Sequence, residues 1–207
     1  MQAVPNMTAV TLYLASASPR RREILDQLGI AYVLHPQDID ESRMLNEDAE
    51  DYVCRLAKTK AENALSLVDE QSNSACLGSD TTVVCDGEIF EKPEDESDAH
   101  RILQALSGRT HLVLTAVALA RTGSTEVLLS SSEVTFKDLT EAEIKNYWQT
   151  GEPADKAGAY GIQGLGAIFV KEIKGSYSGI MGLPVFETIS LLAKIDITAE
   201  KILEQYT

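Results

Sequence analysis

Cys76-Leu77-Gly78-Ser79-Asp80-Thr81-Thr82-Val83-Val84-Cys85, followed at once by Asp86-Gly87-Glu88, decides what kind of sheet this chain builds. The run is short, rich in β-branched residues and bounded by turn residues, the pattern of a buried strand. Asp-Gly at its end is a hairpin signal, because both central positions of the favoured two-residue turn need positive φ. The chain therefore returns antiparallel through Glu88 to Glu91. Upstream, Val10 to Ser16 reads as a buried strand, Ser18-Pro19 opens a helix that Gly29 closes, and a short strand follows around Ala31 to Leu34. Ala49, Tyr52, Val53, Leu56, Ala57, Ala61, Ala64 and Leu65 then recur at helical spacing.

Downstream, Ser97 is read as the cap of a helix carrying Ala99, Ile102, Leu103 and Leu106, which Gly108 ends. Strands His111 to Ala120 and Val127 to Phe136 are joined across Thr122-Gly123-Ser124. Thr140 and Glu143 make a capping box, an alternating strand runs from Ala167 to Ile173, and a last long helix starts at Pro184. Helices and strands alternate early, but hairpins fill the middle. This predicts an α/β fold with a mixed sheet, not a doubly wound parallel one. No linker, repeat or low-complexity tract divides the chain, so 1–207 is read as a single domain.

Thirty-two acids against eighteen bases leave a net charge of −14. That field opposes nucleic acid and anionic membrane surfaces, so any phosphate site needs a local cluster of bases. Cys54, Cys76 and Cys85 are odd in number and lack a CxxC pair, which suits a reducing compartment and no zinc site. The apolar stretch near the N-terminus is short and runs into Pro19 and three arginines, so neither a signal peptide nor a membrane span is read. The expectation is a cytoplasmic protein.

Four features carry chemistry. Ser16, Ser18, Arg20 and Arg21 surround a helix start, where free N–H groups, the helix dipole, hydroxyls and guanidinium forks all suit phosphate. The same residues fit a capped surface helix with solvated arginines. Lys60 occupies an apolar position of its helix stripe, between Leu56 and Ala64. Such a lysine either snorkels past the core or meets an anion in a cleft. Asp80 interrupts a run otherwise fit for a buried strand, and a buried carboxylate is costly unless paired or metal-bound. It reads as a metal ligand or water-activating base, or else as a hydrogen-bonded strand residue, with Gly78 allowing close approach of a ligand. Asp38, Asp40 and Glu41 form an acidic loop, a solvated turn that could also join Asp80 around Mg²⁺ or Mn²⁺. Lys92 is by itself a solvated charge among acids. No HExxH, GxSxG elbow, Walker loop or GxGxxG is present, and His35, His100 and His111 are scattered.

Read together, Leu14-Ala-Ser-Ala-Ser-Pro-Arg-Arg21, Asp38-Ile-Asp-Glu41, Arg55-Leu-Ala-Lys-Thr-Lys-Ala61, Gly78-Ser-Asp-Thr81, Glu91-Lys-Pro93, Leu106-Ser-Gly108, Asp155-Lys-Ala-Gly-Ala-Tyr-Gly-Ile-Gln-Gly164 and Met181-Gly-Leu-Pro184 occur in order. This series resembles the Maf family of nucleoside triphosphate pyrophosphatases, from Leu12 to Leu192. The resemblance implies an elongated mixed α/β fold like that of inosine triphosphate pyrophosphatases, with two lobes and a central cleft. It implies hydrolysis of a nucleoside triphosphate to monophosphate and pyrophosphate with a divalent cation, Mg²⁺ or Mn²⁺. Asp80 falls on the proton-acceptor position and, with Glu41, on the metal side. Arg21, Glu41, Lys60 and Lys92 fall on positions lining the triphosphate. Arg20, Thr81 and Gln163 match the branch acting on dTTP and UTP, where the 7-methyl-GTP branch carries Trp, Gln and Glu. Lys156 is a further candidate for phosphate or metal-side contacts. A homodimer is a family expectation. Alternatives are the same fold acting on a modified or purine triphosphate, or a non-catalytic nucleotide-binding regulator of cell division.

A triphosphate brings about four negative charges, and each opposite unit pair at 4 Å is worth roughly 4 kcal/mol before desolvation at an effective dielectric of 20. Distant acids are screened within about 8 Å at physiological salt. A small basic cleft can therefore hold polyphosphate on a strongly acidic molecule.

Overall fold

The computed structural model describes residues 10–69 and 73–207; the sequence reading of the first nine residues lies outside them. In chain order the elements are β1 (Thr11–Leu14), α1 (Pro19–Gln27), β2 (Val33–Leu34), α2 (Ala49–Ser66), β3 (Ser74–Cys85), β4 (Glu88–Phe90) and α3 (Glu96–Leu106). There follow β5 (Thr110–Arg121), β6 (Ser124–Phe136), α4 (Glu141–Gln149), β7 (Val170–Lys174), α5 (Tyr177–Met181), α6 (Val185–Leu192) and α7 (Ala199–Glu204). They form a seven-stranded mixed sheet in the order β2-β1-β3-β5-β6-β7, with β4 also on β3.

β3 is the spine. Its first half pairs parallel with β1, from Thr11 opposite Ser74 to Leu14 opposite Leu77. Its second half pairs antiparallel with β4, from Val83 opposite Phe90 to Cys85 opposite Glu88. Both partners lie along the same edge, so between Leu77 and Val83 that edge has no strand beside it. On its other edge β3 pairs with β5 without interruption from Ala75 to Val84. The gap thus opens in a sheet held rigid from behind.

One face of the sheet is covered by α2. Val53, Ala57 and Ala61 pack against Leu114, Ala116, Ala118 and Ala120 of β5. Small residues let the helix come close, and Gly78 lets it come closer still. A Cβ there would lie 2.3 Å from the Ala57 carbonyl oxygen and 2.7 Å from the Ala61 nitrogen. The space beside Gly78 is therefore filled by the backbone of α2, and not open to a ligand as the sequence suggested.

The opposite face divides. Ala75 and Leu77 join Val117, Leu119 and the helices α1, α6 and α7 in one apolar cluster. Val83 and Cys85 join Val113, Phe136 and the helices α3 and α4 in another. Between them the same face carries buried Ser79 and Thr115 and half-buried Thr81. Side chains alternate across a strand, so this polar break in an apolar row marks where one lobe ends and the next begins.

Local signals account for most boundaries. The Thr140–Glu143 capping box forms in both directions. Asp48 caps α2 by accepting from the Asp51 N–H at 2.8 Å. Three details differ from expectation. Asp95, not Ser97, caps α3, because its carboxylate reaches the Asp98 N–H at 2.8 Å. Leu165–Phe169 is a 3₁₀ turn, so β7 starts only at Val170, where β6 offers a partner. The short helices α5 and α7 have no long apolar period to announce them. Among the described residues no helix is long and apolar enough to cross a membrane.

Candidate active site

A cleft of about 450 Å³ opens at the gap in the β3 edge. It is lined by Ser16, Ser18, Arg20, Arg21, Glu41, Lys60, Asp80, Thr81, Lys92, Lys156 and Gln163. These eleven residues thus reach one cavity, although they span most of the chain; of the acidic loop only Glu41 does so, while Asp38 and Asp40 are exposed outside it and Asp40 instead accepts from the Ser42 N–H at 2.9 Å.

Asp80 lies where one edge of β3 is open while the other pairs with β5, on the α2 face that Gly78 also occupies. The close packing at Gly78 brings the neighbouring turn of α2 near enough for Lys60 Nζ to donate to Asp80 Oδ1 at 2.7 Å. The same ammonium meets Glu41 Oε1 at 2.6 Å. Asp80 and Lys60 are each only 8 % exposed, so this pair is desolvated. Burial pushes the Asp80 carboxyl above its ordinary range, against the opposing pull of Lys60 and Arg21. Glu41 is exposed; its partial loss of hydration beside the cleft works to raise it, but Lys60 with Lys92 and Arg21 holds it below its ordinary value. The two carboxylates are thus pushed in opposite directions, a difference suited to giving one of them proton-accepting work.

Arg21 takes a structural position on the other face. Its Nε donates to the Gly182 carbonyl at 2.8 Å, Nη1 to Ser16 Oγ at 2.9 Å and Nη2 to Thr81 Oγ1 at 3.4 Å. Three of its five donors meet protein acceptors, and its guanidinium lines the cleft. Ser18 occupies the N-cap position of α1, but its side chain makes no capping bond; its N–H goes instead to Ser16 Oγ at 3.2 Å. Arg20 and Lys156 are joined through one acid. Arg20 Nη1 donates to Asp155 Oδ2 at 2.9 Å and Lys156 Nζ to Asp155 Oδ1 at 2.6 Å. Lys92 and Gln163 are exposed on the cleft wall.

Opposite the charged floor, Val83, Val113, Tyr160, Ile162, Ile180 and Met181 give the cleft an apolar side. One end is therefore fit for anions and another for a flat, partly apolar group. Sequence reasoning passed over Tyr52, Glu91 and Asp155. Tyr52, counted as core from its helical spacing, donates its hydroxyl to the Glu41 carbonyl at 3.0 Å and also meets the Glu91 carboxylate. Glu91 and Asp155 each stand directly before a lysine that had been singled out, and that adjacency was the available signal.

The sequence profile of the Maf-like protein family matches residues 11–195. The chain belongs to the Maf-like family. Among curated Maf-like relatives, the dTTP/UTP pyrophosphatase of Saccharophagus degradans is 51% identical over 187 residues, covering 90% of this chain and 89% of the relative. That of Colwellia psychrerythraea is 53% identical over 188 residues, with 90% and 89% covered. That of Chromobacterium violaceum is 53% identical over 185 residues, with 88% and 93% covered.

For a divalent cation this Maf-like chain offers Glu41 and Asp80, two carboxylates converging on one ammonium. Among the described residues no three His, Cys, Asp or Glu side chains gather as a cage. Two carboxylates fit the way Mg²⁺ is commonly held, with its remaining positions taken by water and substrate phosphates.

Proposed function

We propose that this protein is a nucleoside triphosphate pyrophosphatase that hydrolyses dTTP and UTP to the monophosphate and pyrophosphate. The single observation that carries the reading is the buried Asp80–Lys60 pair, met from the solvent side by Glu41, at the gap in the sheet beside the positive start of α1. The relatives named dTTP/UTP pyrophosphatase, at about half identity over nearly the whole chain, support the substrate class.

Asp80 accepts a proton from the water that attacks the α-phosphorus. Its raised proton affinity makes it a better base than a solvated carboxylate. Lys60 has three N–H donors, two of them engaged by Glu41 and Asp80, and the third faces phosphate oxygen. Arg20, Lys92 and Lys156 receive the pyrophosphate end, the triphosphate displacing Asp155 from Arg20 and Lys156. Thr81 and Gln163 bear on the base, an amide matching one donor and one acceptor of a pyrimidine edge. A divalent cation held by Glu41 and Asp80 with the substrate would supply further neutralisation of the polyphosphate. Three free thiols support a reducing, cytoplasmic setting; there, hydrolysis of triphosphates to monophosphates would serve to clear the nucleotide pool.

The test is product analysis with a panel of pyrimidine and purine triphosphates in Mg²⁺ or Mn²⁺. We expect dTTP and UTP to be preferred, with pyrophosphate as product and turnover at least about a hundredfold lower in Asp80→Asn. Release of orthophosphate, or full activity in a folded Asp80→Asn protein, would overturn the reading.

A further inference from the structure

Behind the cleft wall lies a carboxylate that the chemistry above does not use. Glu152 begins the 3₁₀ turn after α4 and is not among the residues lining the cleft. Its Oε1 accepts from the Tyr147 hydroxyl at 2.7 Å and the Gly166 N–H at 3.0 Å, and its Oε2 from the Leu165 N–H at 2.8 Å. The Tyr147 hydroxyl in turn accepts from the Gly161 N–H at 3.0 Å. One carboxylate and one phenol therefore tie down both ends of Gly161-Ile162-Gln163-Gly164-Leu165-Gly166.

Space presses on these glycines, most firmly at Gly166, where a Cβ would lie 2.8 Å from the Gly161 carbonyl oxygen. A Cβ on Gly164 would lie 2.4 Å from Glu152 Oε2, one on Gly166 2.6 Å from the Tyr147 hydroxyl, and one on Gly161 2.7 Å from Lys156 Cε. The loop closes around the Glu152 carboxylate, to which it gives two of its backbone N–H groups. Each group facing that carboxylate is a donor, so an amide in its place would turn an NH₂ toward an N–H. Gln163 is exposed, and no hydrogen bond to a described residue orients its side chain. Its placement in the cleft follows from the loop backbone alone.

We infer that Glu152 is a positioning residue that sets base selection by holding the Gly161–Gly166 loop in the shape that presents Gln163 to the nucleobase. The inference rests on the nucleotide-binding reading given above. It adds a residue that acts through Gln163 without touching substrate.

The experiment compares the unmodified full chain with Glu152→Gln, Gln163→Ala and the double variant. It measures amide hydrogen exchange, kcat and KM for dTTP and dATP, and inhibition by inorganic tripolyphosphate, which has no base. In Glu152→Gln we expect exchange at the Leu165 and Gly166 amides to quicken about tenfold while amides of β3 and β5 are unchanged. The preference for dTTP over dATP should fall about tenfold, through KM, with tripolyphosphate inhibition unaltered. The double variant should be no less selective than Gln163→Ala alone, as coupled residues require. Unchanged exchange, unchanged preference, additive losses or an equal loss of tripolyphosphate binding would each overturn the inference. Should Glu152→Gln not fold, Tyr147→Phe removes only the shared hydroxyl and should shift exchange and preference in the same direction; no shift there overturns it equally. An unmodified protein without dTTP turnover is a failure of the functional reading, distinct from a normal enzyme whose preference ignores Glu152.

Discussion

Lys60 shows how one side chain can be costly and necessary together. Its ammonium is desolvated, and only the two carboxylates it meets make that position tolerable. Removing it leaves the Asp80 carboxyl buried without its partner. We expect Lys60→Ala to destabilise the protein by about 3 kcal/mol, and Asp80→Asn by much less, since Glu41 still meets the ammonium. Urea denaturation of both variants checks the ordering. The pH dependence follows from the same burial. Asp80 must be deprotonated to accept a proton, and burial raises its affinity for one. Activity should therefore fall as pH drops, with its acid midpoint above the ordinary carboxylate value of about 4 and belonging to the Asp80–Lys60–Glu41 group jointly. A kcat–pH profile whose acid limb lies at or below that value would contradict this. Lys60 and Asp80 were legible in the sequence as polar residues on apolar periods. That they share one hydrogen bond was not, because nothing local states which turn of α2 meets which residue of β3.

At the scale of elements, the α2–β3 contact sets the site. Gly78→Ala would place a methyl group 2.3 Å from the Ala57 carbonyl, so helix or strand must move. We expect a loss of about 3 kcal/mol in stability and a fall in kcat, because Lys60 rides on the displaced helix. Thr140→Ala is the contrast. It removes the capping box of α4, far from Asp80 in sequence and on another element, and should cost about 1 kcal/mol with kcat unchanged. Denaturation and turnover measured side by side separate the two cases. The capping box and the Asp86-Gly87 turn were readable because both are short-range chemistry; Asp86 and Gly87 do adopt positive φ, at 49° and 81°. Asp95 was missed as a cap because Ser97 competes with it within two positions, and only geometry shows which oxygen reaches an N–H.

For the whole molecule, the two lobes rest on one sheet, and the second lobe contains a buried histidine. His111 lies edge-on to Phe136 and Tyr160 and meets the Tyr160 hydroxyl at 2.9 Å. Burial pushes its imidazole down to about 4. In the unfolded chain it protonates near 6.5, so below that pH the unfolded state binds more protons and stability falls as pH falls. The loss should approach about 3 kcal/mol by pH 4 and be flattened in His111→Gln, which thermal unfolding between pH 7 and pH 4 would show.

By itself the sequence determined most of the element types, the short helices α5 and α7 and the 3₁₀ turn before β7 excepted, the mixed character of the sheet and the residue classes at each candidate position. Those depend on periodicity, turn chemistry and caps, which act over a few residues. Tertiary structure alone decided that β1 and β4 share one edge of β3 and leave it open between them, that α2 fills the space beside Gly78, and that Arg21 binds backbone and hydroxyl groups while Glu152 grips a distant loop. Each of these is a meeting of segments far apart along the chain, selected by how apolar faces close over the sheet, and pairings of that kind have no local code.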